Sequence, residues 1–395
     1  MKQFLKSTTI SVGLAVFSML FGAGNLIYPI LVGMTTGDKH IIGIIGFLLT
    51  AVCLPIAGLI TMIFFNGNYY EFFNRLGKIP GKICVFLCML IIGPVVAIPR
   101  IITLSHIMIA PFLPIEMLRT ISLWSSFIFS CIFLGFTFLG SYRKRRIVNL
   151  LGHFISPLLL ISLLIIIIKG FFTAESTFAN PLTAFSIFKE NLMRGYETLD
   201  LFGTIFFASI ILAAIAQNGF HKTDITNKQR AIIGLKAGIL GGSILAFIYA
   251  GINYLGAFHG SGIVYDNAGE LFREVSFKIF THYGAIIISI AVAMACYSTA
   301  ITLAAVIASY LQREIFNNRI TFIQSLIIVL LTCIPLSTAG LSTVLRLTGG
   351  PISYIGYPVL IVLTFLNLAY KLWGFKPVKI PILLTFIVMF IFYLL

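Results

Sequence analysis

Glycine, asparagine and proline interrupt the first apolar segment of this chain. From Phe21 to Pro29 the residues read Phe-Gly-Ala-Gly-Asn-Leu-Ile-Tyr-Pro, inside a stretch that is otherwise apolar. A helix in lipid must satisfy every backbone N–H and C=O group internally, so such residues are tolerated in mid-span only where the freed groups line a cavity or bind a ligand. The run therefore predicts a broken helix with a binding site at the break.

A second interruption lies in the sixth apolar segment, where Gly195 to Gly203 read Gly-Tyr-Glu-Thr-Leu-Asp-Leu-Phe-Gly. Two interrupted helices five segments apart indicate an inverted repeat of five plus five helices, whose breaks meet near the membrane midplane. Half-helix N–H groups suit a carboxylate, and freed carbonyls and hydroxyls suit a small hard cation such as sodium. An amino-acid zwitterion fits such a site.

Four polar groups near these breaks could act on a substrate. Asn25 favours a substrate or cation role, although an asparagine can also join two helices by hydrogen bonds. Asp200 and Glu197 face the site if the sixth span includes them, or the outer interface if the span begins at Arg194. Arg100 is an ionisable group inside the third segment, where such groups are functional by default, and we expect it to pair with a carboxylate as a gate. The charges of Arg100, Glu197 and Asp200 leave a net −1, which one monovalent cation would neutralise.

Hydroxyl groups in the eighth segment offer a second cation site. Ser298 with Thr302, or Thr299 alone, could give oxygens to sodium. Serine and threonine in a helix also bond to the preceding carbonyls of their own helix, so a local role stays open for each of the three.

The composition places the chain in a membrane. Of its 395 residues 59% are hydrophobic and 10% are charged, and the mean hydropathy is +1.05, unlike soluble domains. We expect an all-α polytopic protein that forms one membrane domain over residues 1–395, with repeat one at about 8–168, repeat two at about 184–370 and an extra C-terminal helix at about 378–395. At about 20 residues per crossing, eleven segments are predicted near 8–35, 41–65, 83–108, 121–140, 147–168, 184–217, 231–256, 277–310, 320–336, 351–370 and 378–395.

The distribution of lysine and arginine predicts the orientation. With the N-terminus inside, 17 basic residues fall on the inner side and 8 on the outer side, and Arg100 and Lys236 lie within segments. Because basic loops stay cytoplasmic, we expect a cytoplasmic N-terminus in a bacterial inner membrane. Topology and contact with anionic membrane lipid then account for the net charge of +15, so no nucleic-acid partner is implied.

Motifs for catalysis and metal binding are absent from the sequence. The six cysteines lie in apolar segments, and the six histidines are scattered without an HExxH spacing. No P-loop, nucleophile elbow or dinucleotide fingerprint occurs. We therefore expect no enzyme activity, no cofactor and no obligate protein partner.

Four colinear runs give the chain a family resemblance. They are Gly22-Ala-Gly-Asn25 followed by Pro29, Gly46-Phe-Leu-Leu-Thr-Ala-Val-Cys-Leu-Pro55, Gly93-Pro94 with Ile98-Pro99-Arg100 and Ala110-Pro111, and Gly195-Tyr196 with Asp200 and Gly203. From about residue 10 to 370 the chain resembles the bacterial branched-chain amino acid:cation symporter family. It departs from that family in showing eleven segments where twelve are usual, and in having Glu197 where a neutral residue is expected.

The resemblance implies the LeuT-like fold of the amino acid-polyamine-organocation superfamily, with broken helices one and six. It also implies sodium-coupled uptake of leucine, isoleucine and valine, with methionine as a further candidate. By similarity to the related neurotransmitter:sodium symporters, Gly24-Asn25 and Thr198 match a sodium and substrate site, and Ser298-Thr299 match a second sodium site.

The expected mechanism is alternating access, in which the cation completes the substrate site. We place the substrate carboxylate on N–H groups near Ala23 and Gly24, and its ammonium near acceptors of segment six. A proton-coupled carrier that uses Glu197 or Asp200 is the alternative, and a membrane-embedded enzyme has least support. The predicted residues are Ala23, Gly24, Asn25, Thr198, Asp200 and Gly203 for the substrate, Asn25, Thr198, Ser298, Thr299 and Thr302 for sodium, and Arg100 with Glu197 as a gate or charge pair.

Overall fold

The structure is a computed structural model that describes residues 2–142, 156–219, 227–280 and 282–394. Within these ranges the regular structure is helical and includes no strand, which confirms the all-α expectation. Six helical stretches there are long and apolar enough to cross a membrane, or seven if the bent pair Ala184–Thr198 and Asp200–Ala213 counts as one span. The figure of eleven crossings stays a prediction, and the start of the fifth predicted segment, near residue 147, lies outside the described residues.

The helices follow the predicted apolar segments. The first half contains α1 (Lys2–Leu20), α2 (Gly24–Thr36), α3 (His40–Leu48), α4 (Leu54–Phe64), α5 (Tyr69–Asn74), α6 (Lys78–Leu90), α7 (Ala97–Ile109), α8 (Glu116–Arg119), α9 (Leu123–Ser141) and α10 (Ser156–Phe172). The second half contains α11 (Ala184–Arg194), α12 (Asp200–Gly219), α13 (Asn227–His259), α14 (Ala268–Ile279), α15 (His282–Tyr310), α16 (Phe322–Thr338), α17 (Leu341–Leu347), α18 (Tyr357–Trp373) and α19 (Lys379–Leu394).

Both predicted breaks are present. The first separates α1 from α2 at residues 21–23. The second is a 3-10 turn over Gly195–Thr198 followed by Leu199 in the left-handed conformation, with φ 64°, and the two halves of the segment are bent by 41°. A left-handed non-glycine residue costs about 1–2 kcal/mol, so the surrounding packing must hold the buried Leu199 in this conformation.

Two further helices are interrupted at glycine. A π-helical turn joins α6 to α7, and Gly93 within it has φ −105° and ψ −116°. Another turn joins α17 to α18, where Gly350 has φ −87° and ψ −131°. The tenth segment thus begins at Leu341, and the expectation that it starts near residue 351 is wrong. Gly349-Gly350-Pro351 lies inside the segment. Pro351 is tolerated there because it has no N–H to donate, and the helical hydrogen bonding is already interrupted at Gly350.

The helices pack in matched pairs across the two halves. The helix α1 contacts α12, α4 contacts α13, α7 contacts α15, and α9 contacts α16. Each of the first four segments therefore packs against the segment five places later, as expected when two inverted units interlock about a shared axis. The exact bounds of the two repeats remain a prediction.

Glycines allow a close crossing between α2 and α13. A side-chain carbon on Gly33 would overlap the carbonyl oxygen of Asn253, and one on Gly256 would overlap the carbonyl oxygen of Ile30. Without side chains at these positions the two backbones meet directly, which is how small residues bring membrane helices together. This crossing fixes α2, and hence the first break, against the second half of the protein.

We expect Gly33→Ala to destabilise the protein, because the added methyl group must push α2 away from α13. Overpacking of this kind costs about 1–3 kcal/mol, and it should lower the melting temperature of the purified protein in detergent. The control is Gly135→Ala in α9, where an added carbon would meet no neighbouring atom within 4 Å. Equal melting temperatures for the two variants would contradict the close crossing.

Candidate functional site

A small cavity, about 30 Å³, lies where the two breaks meet. It is bounded by parts of the first, third, sixth and eighth segments, so it draws on both halves of the chain. Its polar lining residues are Asn25, Arg100, Thr198, Asp200 and Thr299, and its other lining residues are Met19, Leu20, Gly22, Ala23, Ile92, Ala97, Ile101, Leu199, Gly203, Phe207 and Leu303. The structure thus brings most of the predicted substrate residues together, while Gly24 lies just outside the lining.

A buried hydrogen-bond cluster joins the two breaks. The Asn25 amide nitrogen donates to Oδ2 of Asp200 at 2.6 Å and also to the hydroxyl of Tyr249. Tyr249 in turn donates to the same Asp200 oxygen at 3.1 Å, and Asn25 Oδ1 accepts from the Gly22 amide at 3.0 Å. Asn25 therefore satisfies a freed backbone group of its own break while it holds the sixth segment.

Tyr249 is the residue of this cluster that sequence reasoning missed. It is fully buried on α13, a long helix without a break, and the ring of Phe47 packs edge-on against it. The mid-span position of a phenol was the only available clue, and it is a weak one because the chain has 15 tyrosines.

Arg100 lies against the second break, with only 4% of its surface exposed. Its Nη1 donates to the carbonyl oxygen of Glu197 at 2.6 Å and its Nη2 to that of Thr198 at 2.9 Å. Among the described residues no carboxylate lies within ion-pair distance of Arg100. The hydrogen-bond partners of Arg100 are therefore carbonyls that the sixth segment frees at the C-terminal end of a half-helix, where positive charge is favoured. Glu197 acts on Arg100 through space, and its role with Arg100 as a gate or charge pair stays a prediction.

The Glu197 side chain belongs to a different contact. Its carboxylate faces the tenth segment, where a side-chain carbon on Gly349 would lie 3.7 Å from Glu197 Oε1. The neighbouring Tyr196 ring stacks on Tyr357 of the same segment, with the ring centroids 4.8 Å apart. Glu197 is thus not among the cavity lining residues, and its side chain joins the kinks of segments six and ten.

Oxygen atoms of the first and eighth segments converge next to the cavity. Thr299 Oγ1 lies 3.1 Å from the carbonyl oxygen of Phe21 and 3.3 Å from that of Ala295. Ser298 Oγ lies 2.7 Å from the Ala295 oxygen and 3.5 Å from the carbonyl oxygen of Ser18. Both hydroxyls donate hydrogen bonds to these carbonyls, so five oxygens from two segments lie close together. Oxygen atoms are the ligands that a hard cation prefers, and the second sodium site at Ser298 and Thr299 stays a prediction.

Thr302 does not join this set. Its hydroxyl donates to the Ser298 carbonyl of its own helix at 3.0 Å, and it is not a lining residue of the cavity. The local role that threonine often takes in a helix is therefore the one observed for Thr302, whereas Thr299 also reaches the first break.

The oxygens of the predicted first sodium site also take part in hydrogen bonds within the protein. The side-chain oxygen Oδ1 of Asn25 accepts from the Gly22 amide, and the Thr198 backbone oxygen accepts from Arg100. Thr198 Oγ1 itself donates to the Gly195 oxygen at 3.1 Å. The oxygens that sequence reasoning assigned to this cation thus already have protein donors.

Solved structures of membrane transporters share the fold of this chain. Mhp1, a nucleobase-cation-symport-1 family transporter in a closed conformation, matches at a TM-score of 0.58 and 15% identity over 96% of this chain and 91% of that one. A mutant of the Eremococcus coleocola manganese transporter matches at a TM-score of 0.59 and 14% identity, over 100% of this chain and 86% of that one. These likenesses show the LeuT-like fold.

The family is equally clear. Residues 5–394 match the family model described as branched-chain amino acid transport protein, and the chain belongs to that family. It is 28% identical over 379 residues to the branched-chain amino acid permease BrnQ of Bacillus subtilis. The aligned region covers 94% of this chain and 83% of the permease. Its relatives and structural neighbours are transporters, which confirms that the chain is not an enzyme.

We expect Tyr249→Phe to weaken substrate binding about tenfold, because the change removes a hydrogen bond to a buried carboxylate worth about 1.5–3 kcal/mol. Binding of leucine to the purified protein measures the effect. Tyr254→Phe is the matched control on the same helix, since its ring packs on Phe258 and no hydrogen bond of its hydroxyl is present among the described residues. Equal affinities in the two variants would remove Tyr249 from the site.

Proposed function

We propose that this protein is a sodium-coupled symporter that imports leucine, isoleucine, valine or a similar small apolar amino acid by alternating access. The observation that supports this most directly is the Asn25–Asp200 hydrogen bond, which joins the two breaks at a cavity lined both by charged groups and by aliphatic side chains. An amino acid with an apolar side chain has this same division of polarity.

The lining residues favour one orientation of the substrate once the cavity opens. Asp200 is 6% exposed and lines the cavity, so it is the anion available to the ammonium group. Ile101, Phe207 and Leu303 supply the apolar wall for the side chain. The amide groups of Ala23 and Gly24 donate to no backbone carbonyl in the described part of the chain, and they lie at the N-terminal end of α2, where a carboxylate is favoured.

The cavity volume of about 30 Å³ describes a tightly closed arrangement. In this measure one water molecule needs about 10–15 Å³, so the cavity has room for a few water molecules and is too small for leucine. Substrate entry must therefore separate helices around the breaks, and alternating access supplies such a separation on each side of the membrane in turn.

The proposed coupling ion binds the five oxygens of the first and eighth segments. A cation there would link α15 to the carbonyl of Phe21, directly beside the lining residue Gly22. Because the ion stabilises the arrangement of the first break that also receives the substrate, each ligand raises the affinity for the other by the same factor. This reciprocity is the thermodynamic basis of symport.

Proton coupling is the alternative, and the buried Asp200 favours it. This carboxylate has only neutral hydrogen-bond donors in Asn25 and Tyr249, and a buried carboxylate can cycle a proton during transport. Replacement of sodium by choline under a fixed pH gradient separates the two mechanisms. Loss of uptake supports sodium, whereas undiminished uptake that follows the pH gradient supports the proton.

Asn25→Ala and Asp200→Ala should each abolish sodium-dependent leucine uptake in proteoliposomes, because each removes one side of the bond that joins the breaks. The melting temperature of each variant reports whether it still folds. Asn74→Ala, at an exposed position, controls for the loss of an asparagine and should transport normally. Normal uptake by both cavity variants would exclude this cavity as the substrate site.

Thr299→Ala should raise the sodium concentration needed for half-maximal uptake about tenfold, since it deletes one of the cation's ligands, while leucine affinity at saturating sodium stays near normal. Thr137→Ala is a control with the same chemical change: Thr137 is also buried, and its hydroxyl bonds only to the Phe133 carbonyl of its own helix. An unchanged sodium dependence in Thr299→Ala would exclude the second cation site alone.

A further inference from the structure

Arg100 has a donor that the protein itself does not use. A guanidinium group carries five N–H donors, and two of its nitrogens, Nη1 and Nη2, bind the carbonyls of Glu197 and Thr198. Its Nε is buried and has no hydrogen-bond partner among the described residues. Arg100 lines the cavity together with Asn25 and Asp200, so the unpaired donor belongs to a residue of that site.

The first break lies directly beside the guanidinium. A side-chain carbon on Gly24 would be 2.8 Å from Arg100 Nη2 and 3.0 Å from its central carbon. The absence of a side chain at position 24 therefore leaves room for Arg100 next to the start of α2. The Arg100 side chain thus lies directly against the start of α2, next to the amide groups that the first break leaves without a backbone acceptor.

The charge of Arg100 is incompletely compensated. Two carbonyl dipoles face it, and the carboxylates of Glu197 and Asp200 act on it through space, but no carboxylate of the described residues lies within ion-pair distance of it. A buried charge without a direct ion pair is costly, and a buried polar group without a partner is costly as well. A carboxylate placed on Nε would relieve both costs, because Nε and the adjacent Nη form a planar fork that matches the two carboxylate oxygens.

We propose that Arg100 binds the α-carboxylate of the transported amino acid through this fork, while Asp200 binds its ammonium group. This inference rests on the proposed function and adds to it the group that recognises the carboxylate. Two further bonds from Arg100 to the sixth segment hold the guanidinium in place before the substrate arrives. The selected ligand class is therefore the zwitterionic α-amino acid, in preference to an amine or an amide of the same size.

The test compares two ligands in two proteins. Leucine and leucinamide share the side chain and the ammonium group, and they differ in the carboxylate that Arg100 binds. Ligand-induced shifts in melting temperature, measured on the purified full-length protein with sodium present, give the dissociation constants. Arg100→Gln should weaken leucine binding about 30-fold or more, as expected for loss of a buried charge pair, and should change leucinamide binding less than threefold.

Three further variants complete the experiment. Arg100→Lys keeps the charge without the fork, so its dissociation constant for leucine should lie between those of the native protein and of Arg100→Gln. Gly24→Ala displaces the guanidinium without removing it and should also weaken leucine more than leucinamide, which provides a second test if Arg100→Gln does not fold. Arg319→Gln, at an exposed position, should leave both constants unchanged.

The outcomes separate this inference from the proposed function. Equal weakening of leucine and leucinamide in the Arg100 and Gly24 variants would show that Arg100 only positions the sixth segment, and would overturn the inference while leucine transport stands. A native protein that neither binds nor transports leucine would instead overturn the proposed function.

Discussion

Every backbone group freed at a helix break inside a membrane must find a partner within the protein, because lipid supplies none. The site of this transporter is built from the partners that meet this requirement. At the first break the Asn25 side chain accepts from the Gly22 amide, and at the second break Arg100 donates to two carbonyls. The groups that keep the backbone satisfied are thus the same groups that line the cavity, so folding and ligand recognition share their chemistry.

The two breaks differ in the sign of the charge that they present. The first begins α2 and offers N–H groups, whereas the second ends a half-helix and offers carbonyls. The carbonyls bind a cation from the third segment, Arg100, and the anion Asp200 lies at the start of α12. A dipolar arrangement of this kind matches a zwitterion with little change in the total charge of the site.

Local rules explain which parts of this arrangement could be predicted. Glycine and proline in mid-span, and charges in apolar segments, are visible without any knowledge of the fold, so both breaks and Asn25, Asp200 and Arg100 could be identified. The partners of Arg100 could not, because a main-chain carbonyl has no signature in the sequence. Tyr249 was missed because its role depends on how α13 crosses the first segment. The kink at Gly350 was misread since Gly-Gly-Pro suits the start of a helix as well as its interruption.

The glycine crossing of α2 and α13 also bears on how the molecule can move. Backbone atoms meet there, with Gly33 facing the Asn253 carbonyl and Gly256 facing that of Ile30, and no side chain between them can change rotamer to let one helix slide along the other. These two helices must therefore move together as one rigid unit. A rotation that opens the cavity must then bend the chain at residues 21–23. This short stretch is therefore a hinge and also contributes to the lining of the cavity.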